Sequence, residues 1–366
     1  MRVLALNCGS SSLKYALFEV SGGAARAVAR DQIERIGEAV PDHAAAVHAV
    51  FDALDRAGNA SLDAVGHRIV HGGPRHTRPE RIDDALVATL REIVPFSPVH
   101  LPPELDAIAA ARARFAGRPQ VACFDTAFHA TLPEVAQRFA LPRRLFDAGV
   151  RRYGFHGLSY EYLVETIGAK VLGRAVLAHL GSGSSLCAVR DGRSIDTTMA
   201  FTPTAGIVMG TRSGDIDPGL VSYLFKHGYD AESFDRLVNR EAGLLALSET
   251  TSDMKRLVDA IAADPRAKLA VDVYCWHARK AVGALAASLG GIDSLVFTGG
   301  IGAHAPEVRR GIVSGLAHLG VTIDDAKNEA NAPTLHDGRG DVAVHVITTD
   351  EESRIALQTA RVTLSA

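Results

Sequence analysis

One pattern constrains this chain more than any other, and it occurs twice: an apolar strand, a tight Gly/Ser turn and a second apolar strand. The first copy runs from VLALN (Val3 to Asn7) through the turn GSSSLK to YALFEV (Tyr15 to Val20), and the second is AHLGSGSSLCAV, from Ala178 to Val189, about 170 residues on. Two such hairpins so far apart imply an internal duplication and two related domains. Around them apolar β-rich runs alternate with Ala-rich helical stretches, the pattern of an α/β chain. Further strands are expected at AVGHRIVH (Ala64 to His71), QVACFD (Gln120 to Asp125), AVLAHLG (Ala175 to Gly181), SLVFTGG (Ser294 to Gly300) and VAVHVI (Val342 to Ile347). Asp191-Gly192 marks a two-residue hairpin turn, and residues 244–290 have a helical period. Thr349, three residues before Glu352, has the capping-box spacing that starts a last helix.

Composition narrows the partners. Lys and Arg number 39 against 42 Asp and Glu, a net charge of −3 over 366 residues, so there is no bulk basic field for nucleic acid. With 47% apolar and 22% charged residues the chain can bury substantial cores, and at roughly 150 residues per domain its length suits two of them. Cys8, Cys123, Cys187 and Cys275 are scattered without CxxC or zinc spacing, which fits a reduced cytoplasmic protein. The first apolar run is too short for a signal sequence and no stretch reaches about 18 uninterrupted apolar residues, so neither secretion nor a membrane span is expected.

The turns and strand ends carry the chemistry. In NCGSSSLK (Asn7 to Lys14), backbone N–H groups without a nearby Cβ, the hydroxyls of Ser10 and Ser12 and the Lys14 ammonium suit phosphate oxygens. A Gly/Ser turn alone is ordinary hairpin chemistry. Three such loops after apolar strands are not: HLGSGSS (His179 to Ser185) and TGGIGAH (Thr298 to His304) repeat the arrangement. There is no Gly-Lys dipeptide for a Walker loop and no GxGxxG, so a different nucleotide fold is required. Arg68, in HRIVHGG, and Arg212, in MGTRSGDIDPG, stand among glycines. Each could simply pair with a carboxylate, yet guanidinium groups beside phosphate loops suit an anionic acceptor. Asp125 ends a strand and His156 sits in the glycine-flanked turn RYGFHG, where a cap and a structural histidine are the ordinary alternatives. Glu351 and Glu352 follow the strand VAVHVI, where charge at a helix start complements its dipole. Cys275-Trp276-His277 reads as helix core rather than a redox or metal site.

Taken in order, NCGSSSLK, GHRIVHGG, PVHLPPE, FDTAFH, RRYGFHG, HLGSGSS, FTPTAGIVMGTRSGDIDPG, TGGIGAH and TTDEE resemble the acetate kinase family, within the actin-like ATPase superfamily that also holds sugar kinases, over nearly the whole chain. The resemblance implies a two-domain ribonuclease-H-like α/β fold with the active site in an interdomain cleft: residues 1–147 plus a C-terminal helix 352–366, and residues 148–351. It implies reversible, direct in-line transfer of the ATP γ-phosphoryl group to acetate, giving acetyl phosphate and ADP, with Mg²⁺ (Mn²⁺ as an alternative) and a homodimer. By similarity Asn7 and Glu351 would hold the metal; Ser10, Ser12 and Lys14 would face the phosphate; Arg68 would grip the substrate carboxylate; Arg212 and His156 would stabilise the moving phosphoryl group. Val70, Val99, Phe155 and Pro203 would meet the acid's apolar tail. Nucleotide contacts would come from His179, Leu180, Gly181, Ser182, Gly183, Asp253, Met254, Lys255, Gly300, Ile301, Gly302, Ala303 and His304. Asp125, an acid/base candidate in the family, is expected instead to orient an arginine or the metal water, because a carboxylate substrate is already ionised and offers no proton to a base.

The departures cluster on the nucleotide side. LGNGSS reads LGSGSS with Ser182; GIGEN reads GIGAH with Ala303 and His304; HNPPN reads HLPPE with Leu101 and Glu104; TNEE reads TDEE with Asp350. Val99 stands where relatives often carry Leu, which predicts turnover of propionate beside acetate. Rival readings are a propionate or other short-chain carboxylate kinase, a hydroxyl-directed sugar kinase, and a catalytically idle nucleotide-binding protein.

Overall fold

The parallel strands β1 (Arg2–Cys8), β4 (Ala64–Ile69) and β6 (Gln120–Phe124) stand side by side at the centre of a six-stranded sheet. The structure, a computed structural model, describes residues 1–9, 12–37, 39–59 and 61–365. In strand order the sheet is β3-β2-β1-β4-β6-β5, with β2 (Ser12–Ser21), β3 (Ala24–Glu34) and β5 (Glu80–Arg81) antiparallel to their neighbours. β1 has a continuous apolar sequence because both of its faces are covered. Leu4 and Leu6 pack with Val47, Val50 and Phe51 of α1 (His43–Arg56) and with Ala107 and Ala111 of α3 (Leu101–Arg114). Val3 and Ala5 meet Ile355, Ala356 and Ala360 of the C-terminal helix Glu351–Leu364 on the other side. A third cluster joins Ile69 and Phe124 to Leu86 and Leu90 of α2 (Asp84–Glu92) and to Leu101 and Ile108.

A second, five-stranded sheet has the order β11-β10-β7-β8-β9, built from β7 (Arg174–Leu180), β8 (Ser184–Arg190), β9 (Arg193–Thr197), β10 (Ser294–Thr298) and β11 (Ala343–Val346). β7, β10 and β11 are parallel. One continuous core unites Val176, Leu186, Leu295, Phe297 and Val344 with Tyr274, Val282 and Leu285 of the 25-residue helix Pro265–Leu289. Each sheet thus opens with an antiparallel hairpin and continues with parallel strands, as the duplicated motif predicts. The chain divides into one unit of residues 1–130, 155–162 and 350–366 and a second of residues 131–154 and 163–349.

Three local expectations met the structure. Asp191 and Gly192 both have positive φ, 51° and 75°, and close the β8–β9 hairpin. The last helix starts one residue later than the Thr349–Glu352 spacing predicts: Asp350 is the cap and accepts from the Ser353 N–H at 3.0 Å, because its carboxylate already reaches the orphan donor of the first turn. Of the Cys275-Trp276-His277 run only Cys275 is buried in the core, and Trp276 is 56% exposed. Among the described residues all four cysteines are free, and no helix is long and apolar enough to cross a membrane.

Candidate active site

Because β1, β4 and β6 run parallel, their C-terminal ends lie on one edge of the first sheet, where α/β proteins gather ligand groups. Asn7, Arg68 and Asp125 stand there, and the start of the C-terminal helix adds Glu351 and Glu352. The Arg68 guanidinium donates to Asp125 Oδ2 through Nε at 3.0 Å and Nη2 at 2.5 Å, and through Nη1 to Asn7 Oδ1 at 3.3 Å and the Cys8 carbonyl at 3.4 Å. Asn7 Nδ2 donates onward to Glu351 Oε2 at 3.1 Å and Glu352 Oε1 at 2.9 Å. Asp125 is fully buried, and its second oxygen, Oδ1, has no hydrogen-bond partner among the described residues.

Burial dominates the electrostatics. It works against the Arg68 charge, but Asp125, Glu351 and Glu104 surround the guanidinium and carry its pKa upward overall. Burial raises the Glu351 pKa, opposed by Arg68 and reinforced by Asp125, and raises that of Glu352, reinforced by Glu351. Lys14, opposite Asn7 in the β1–β2 register, is exposed and lends positive potential to both glutamates. Carboxyl groups therefore outnumber cations at this strand edge, which also offers an orphan oxygen and an amide. That donor set fits a hard divalent cation. Among the described residues no three His, Cys, Asp or Glu side chains form a group that could hold a metal ion by themselves.

The RYGFHG turn joins this edge through backbone. Gly157 N–H donates to the Asp125 carbonyl at 3.0 Å, and a Cβ on Gly157 would stand 2.1 Å from that oxygen, so only glycine allows the approach. The neighbouring His156 has φ +59°, a left-handed conformation unusual for a side-chain-bearing residue and typical of functional turns. Phe155 is buried and its ring stands edge-on to His71, centroids 5.6 Å apart; Val70 is buried and Val99 half-buried. Ser12 accepts the Gly9 N–H through its carbonyl at 2.8 Å, closing the first turn. Ser10 lies outside the described residues.

The second unit gathers its own set. Gly210 N–H donates to the Ser182 carbonyl at 3.1 Å, and the position a Gly210 Cβ would take lies within 3.6 Å of both Ser182 and Ser252. The loop of His179, Leu180, Gly181, Ser182 and Gly183, the MGTR loop and the Asp253-Met254-Lys255 helix start therefore converge. Gly299, at φ +77°, lets the β10 turn press on the Leu180 backbone, where a Cβ would meet the carbonyl oxygen at 2.5 Å; Gly300, Ile301, Gly302, Ala303 and His304 follow as a short helix. Arg212 Nη1 donates to the Pro203 carbonyl at 3.2 Å, and the loop is pinned by Leu244 N–H to Met209 O at 2.9 Å and Leu245 N–H to Gly210 O at 3.0 Å. Asp253 caps its helix, accepting from Lys255 N–H at 2.9 Å; Asp253 and Lys255 are exposed and Met254 is buried.

This layout matches a known group of proteins over almost its full length. The profile of the acetokinase family matches residues 2–357. The chain belongs to the acetokinase family. It is 42% identical to the acetate kinase of Nitrobacter hamburgensis across 98% of this chain and 95% of the relative. Among solved structures, Porphyromonas gingivalis acetate kinase superposes with a TM-score of 0.89 at 35% identity, covering 99% of both chains. A propionate kinase from Francisella tularensis superposes equally well, 0.89 at 33% identity, covering 98% of this chain and 99% of its own. Acetokinase membership makes the protein a kinase, with ATP as co-substrate.

Three residues of this acetokinase escaped the sequence reading as site members. Glu352 shares the Asn7 amide with Glu351. Glu104 is 2% exposed and accepts the Val70 N–H with both oxygens. Arg309, completely buried, donates to Gly302 O at 2.9 Å, to Asn328 Oδ1 and O at 2.8 Å and to Asn331 Oδ1 at 2.6 Å, and burial lowers its pKa to about 10. Their signals were a second acidic residue, a departure from HNPPN and an arginine in an apolar helix face.

Proposed function

We propose that this protein is an Mg²⁺-dependent acetate kinase that transfers the γ-phosphoryl group of ATP to acetate and runs in reverse from acetyl phosphate. The observation that supports it most is Arg68: a half-buried guanidinium, held by two hydrogen bonds to Asp125 and standing two residues before the buried Val70, which suits a small carboxylate with an apolar tail. Anion meets anion in this reaction, so the barrier is chiefly repulsion. Arg68 binds the acid's carboxylate and aims one oxygen at the phosphorus; Arg212 and His156 stabilise the transferring phosphoryl group; Lys14 and Ser12 complete the positive field, with Ser10 joining them. No proton needs abstraction, so Asp125 acts as a positioning residue. The glycine loops of the second unit hold the nucleotide by backbone N–H groups. Asn7, Glu351 and Asp125 Oδ1 are the residues that would hold the metal or its water, and the ion would neutralise phosphate charge when bound. The protein acts as a homodimer in the cytoplasm.

A hydroxamate assay of acyl-phosphate formation with ATP and acetate tests the reading; absence of product, or unchanged rates in Arg68→Ala and Arg212→Ala, overturns it. Propionate is a second acceptor on this reading, because Val99 leaves room where relatives often carry Leu, and one of the solved structures it resembles is of a propionate kinase.

A further inference from the structure

Glu104 is held unlike every other carboxylate near Arg68. It sits in the first turn of α3, 2% exposed, and both of its oxygens stand 3.1 Å from a single donor, the Val70 N–H. The charged and titratable groups coupled to it are Arg68 at the end of β4, Asp125 at the end of β6 and Cys8 at the end of β1. The helices packed on α3 present Ala46, Val47 and Val50 from α1 and Leu86 and Leu90 from α2; their charged contacts with α3 are Asp55 to Arg114 and Asp84 to Arg112, in its last turn, and α1 also carries the buried His43.

One guanidinium therefore serves three carboxyl groups, the buried Asp125 and Glu104 and the half-buried Glu351. If the proposed function is right, it must also accept the carboxylate of the substrate. A fourth negative charge in a buried pocket cannot be added without relief, and the relief available at constant composition is protonation of one carboxyl group. Asp125 is fixed by two N–H groups of Arg68, and Glu351 has the Asn7 amide and the potential of Lys14. Glu104 has one backbone N–H.

We propose that Glu104 takes up a proton from solvent when the carboxylate substrate binds at Arg68, so that capture of the acid is linked to proton uptake. This rests on the reading of Arg68 as the acid-binding group. Burial already pushes the Glu104 carboxyl well above the ordinary range, opposed by Arg68 and the Val70 N–H, so this carboxyl takes a proton more readily than an exposed glutamate does. The usual HNPPN segment of the family has an amide here, which has no charge to lose. Proton linkage is then a property that this chain adds through a single carboxyl group.

The test compares the intact enzyme, with saturating Mg-ATP, and its Glu104→Gln variant. In the wild type the KM for acetate climbs by up to about tenfold per pH unit once Glu104 is ionised in the free protein, while kcat stays level because the saturated complex carries the proton. In Glu104→Gln the KM for acetate is flat over the same range. Calorimetry of acetate binding in two buffers of different ionisation enthalpy reads the proton directly in the wild type and needs no variant. A flat wild-type KM with no proton uptake, or identical profiles in the two proteins, overturns the proposal. Failure of both to bind acetate or form acetyl phosphate at any pH overturns the functional reading, and this proposal with it.

Discussion

The two units carry the same hairpin-plus-parallel-strand plan and use it in opposite ways. The first fills its strand ends with charge: Arg68, Asp125, Glu351, Glu352 and Glu104 lie within a few side chains of one another, Asp125 and Glu104 buried and the other three half-buried. The second uses backbone. Its loops meet through Gly210, Gly299 and Gly302, its one deeply buried cation, Arg309, is bonded to neutral oxygens, and its core is a single continuous cluster where the first unit has three. A duplicated scaffold fixes where strand ends go. What stands there is free to diverge; on the proposed function, the charged strand ends select the small acid and the backbone N–H groups of the second unit cradle the polyphosphate.

The sharpest way to break that contrast is to remove the charge that the second unit does place on a side chain. Arg212→Ala is expected to lower kcat by about a hundredfold to a thousandfold, or ~3–4 kcal/mol, with little change in the acetate KM, in the hydroxamate assay. Acid separates the units next. His67, buried in β4 with Nε2 2.9 Å from Gln120 Oε1, has its pKa lowered to about 4 by burial. The unfolded chain therefore takes up this proton first, and stability present above pH 6.5 is lost as pH falls toward 4. Between those values the first unit should lose about 3 kcal/mol relative to a His67→Gln variant, read as amide exchange protection in its central strands. Packing comes third. A Cβ on Gly66 would stand 2.2 Å from Thr359 Oγ1 and 2.6 Å from Ile355 Cγ2, so Gly66→Ala should push the C-terminal helix off β4 at a cost of ~1–3 kcal/mol, measured by denaturant unfolding. Smallest is the Val99 effect: acetate is preferred over propionate by only about 10- to 200-fold in kcat/KM, since one methylene discriminates by ~1–3 kcal/mol, and a ratio above about a thousand would refute it.

What could be read in advance followed burial. The strands that are apolar on both faces, β1, β4, β6, β7 and β10, announce themselves as continuous hydrophobic runs. β3 does not, because its sequence AARAVARDQIE exposes most positions and carries charge on both faces. The cap at Asp350 was hidden by a competing spacing one residue earlier. In the site, residues inside recurrent loops were visible as motifs, whereas Glu104 and Arg309 take their character from being enclosed. Nothing in HLPPE or in VRR tells that the carboxyl is 2% exposed or that the guanidinium is fully enclosed. Enclosure is a property of neighbours far along the chain.

The outermost strand of the first sheet carries one more consequence. β3 is 11 residues long and pairs with β2 along one side, so its other flank is a border of backbone donors and acceptors. Arg26, Arg30, Asp31 and Glu34 stud that border, and Arg30 also reaches Asp350 at 3.0 Å. A neighbouring molecule that tried to zip its own strand alongside would have to strip water from these ions. Crowded molecules of this protein are thereby steered away from fibril-like stacking.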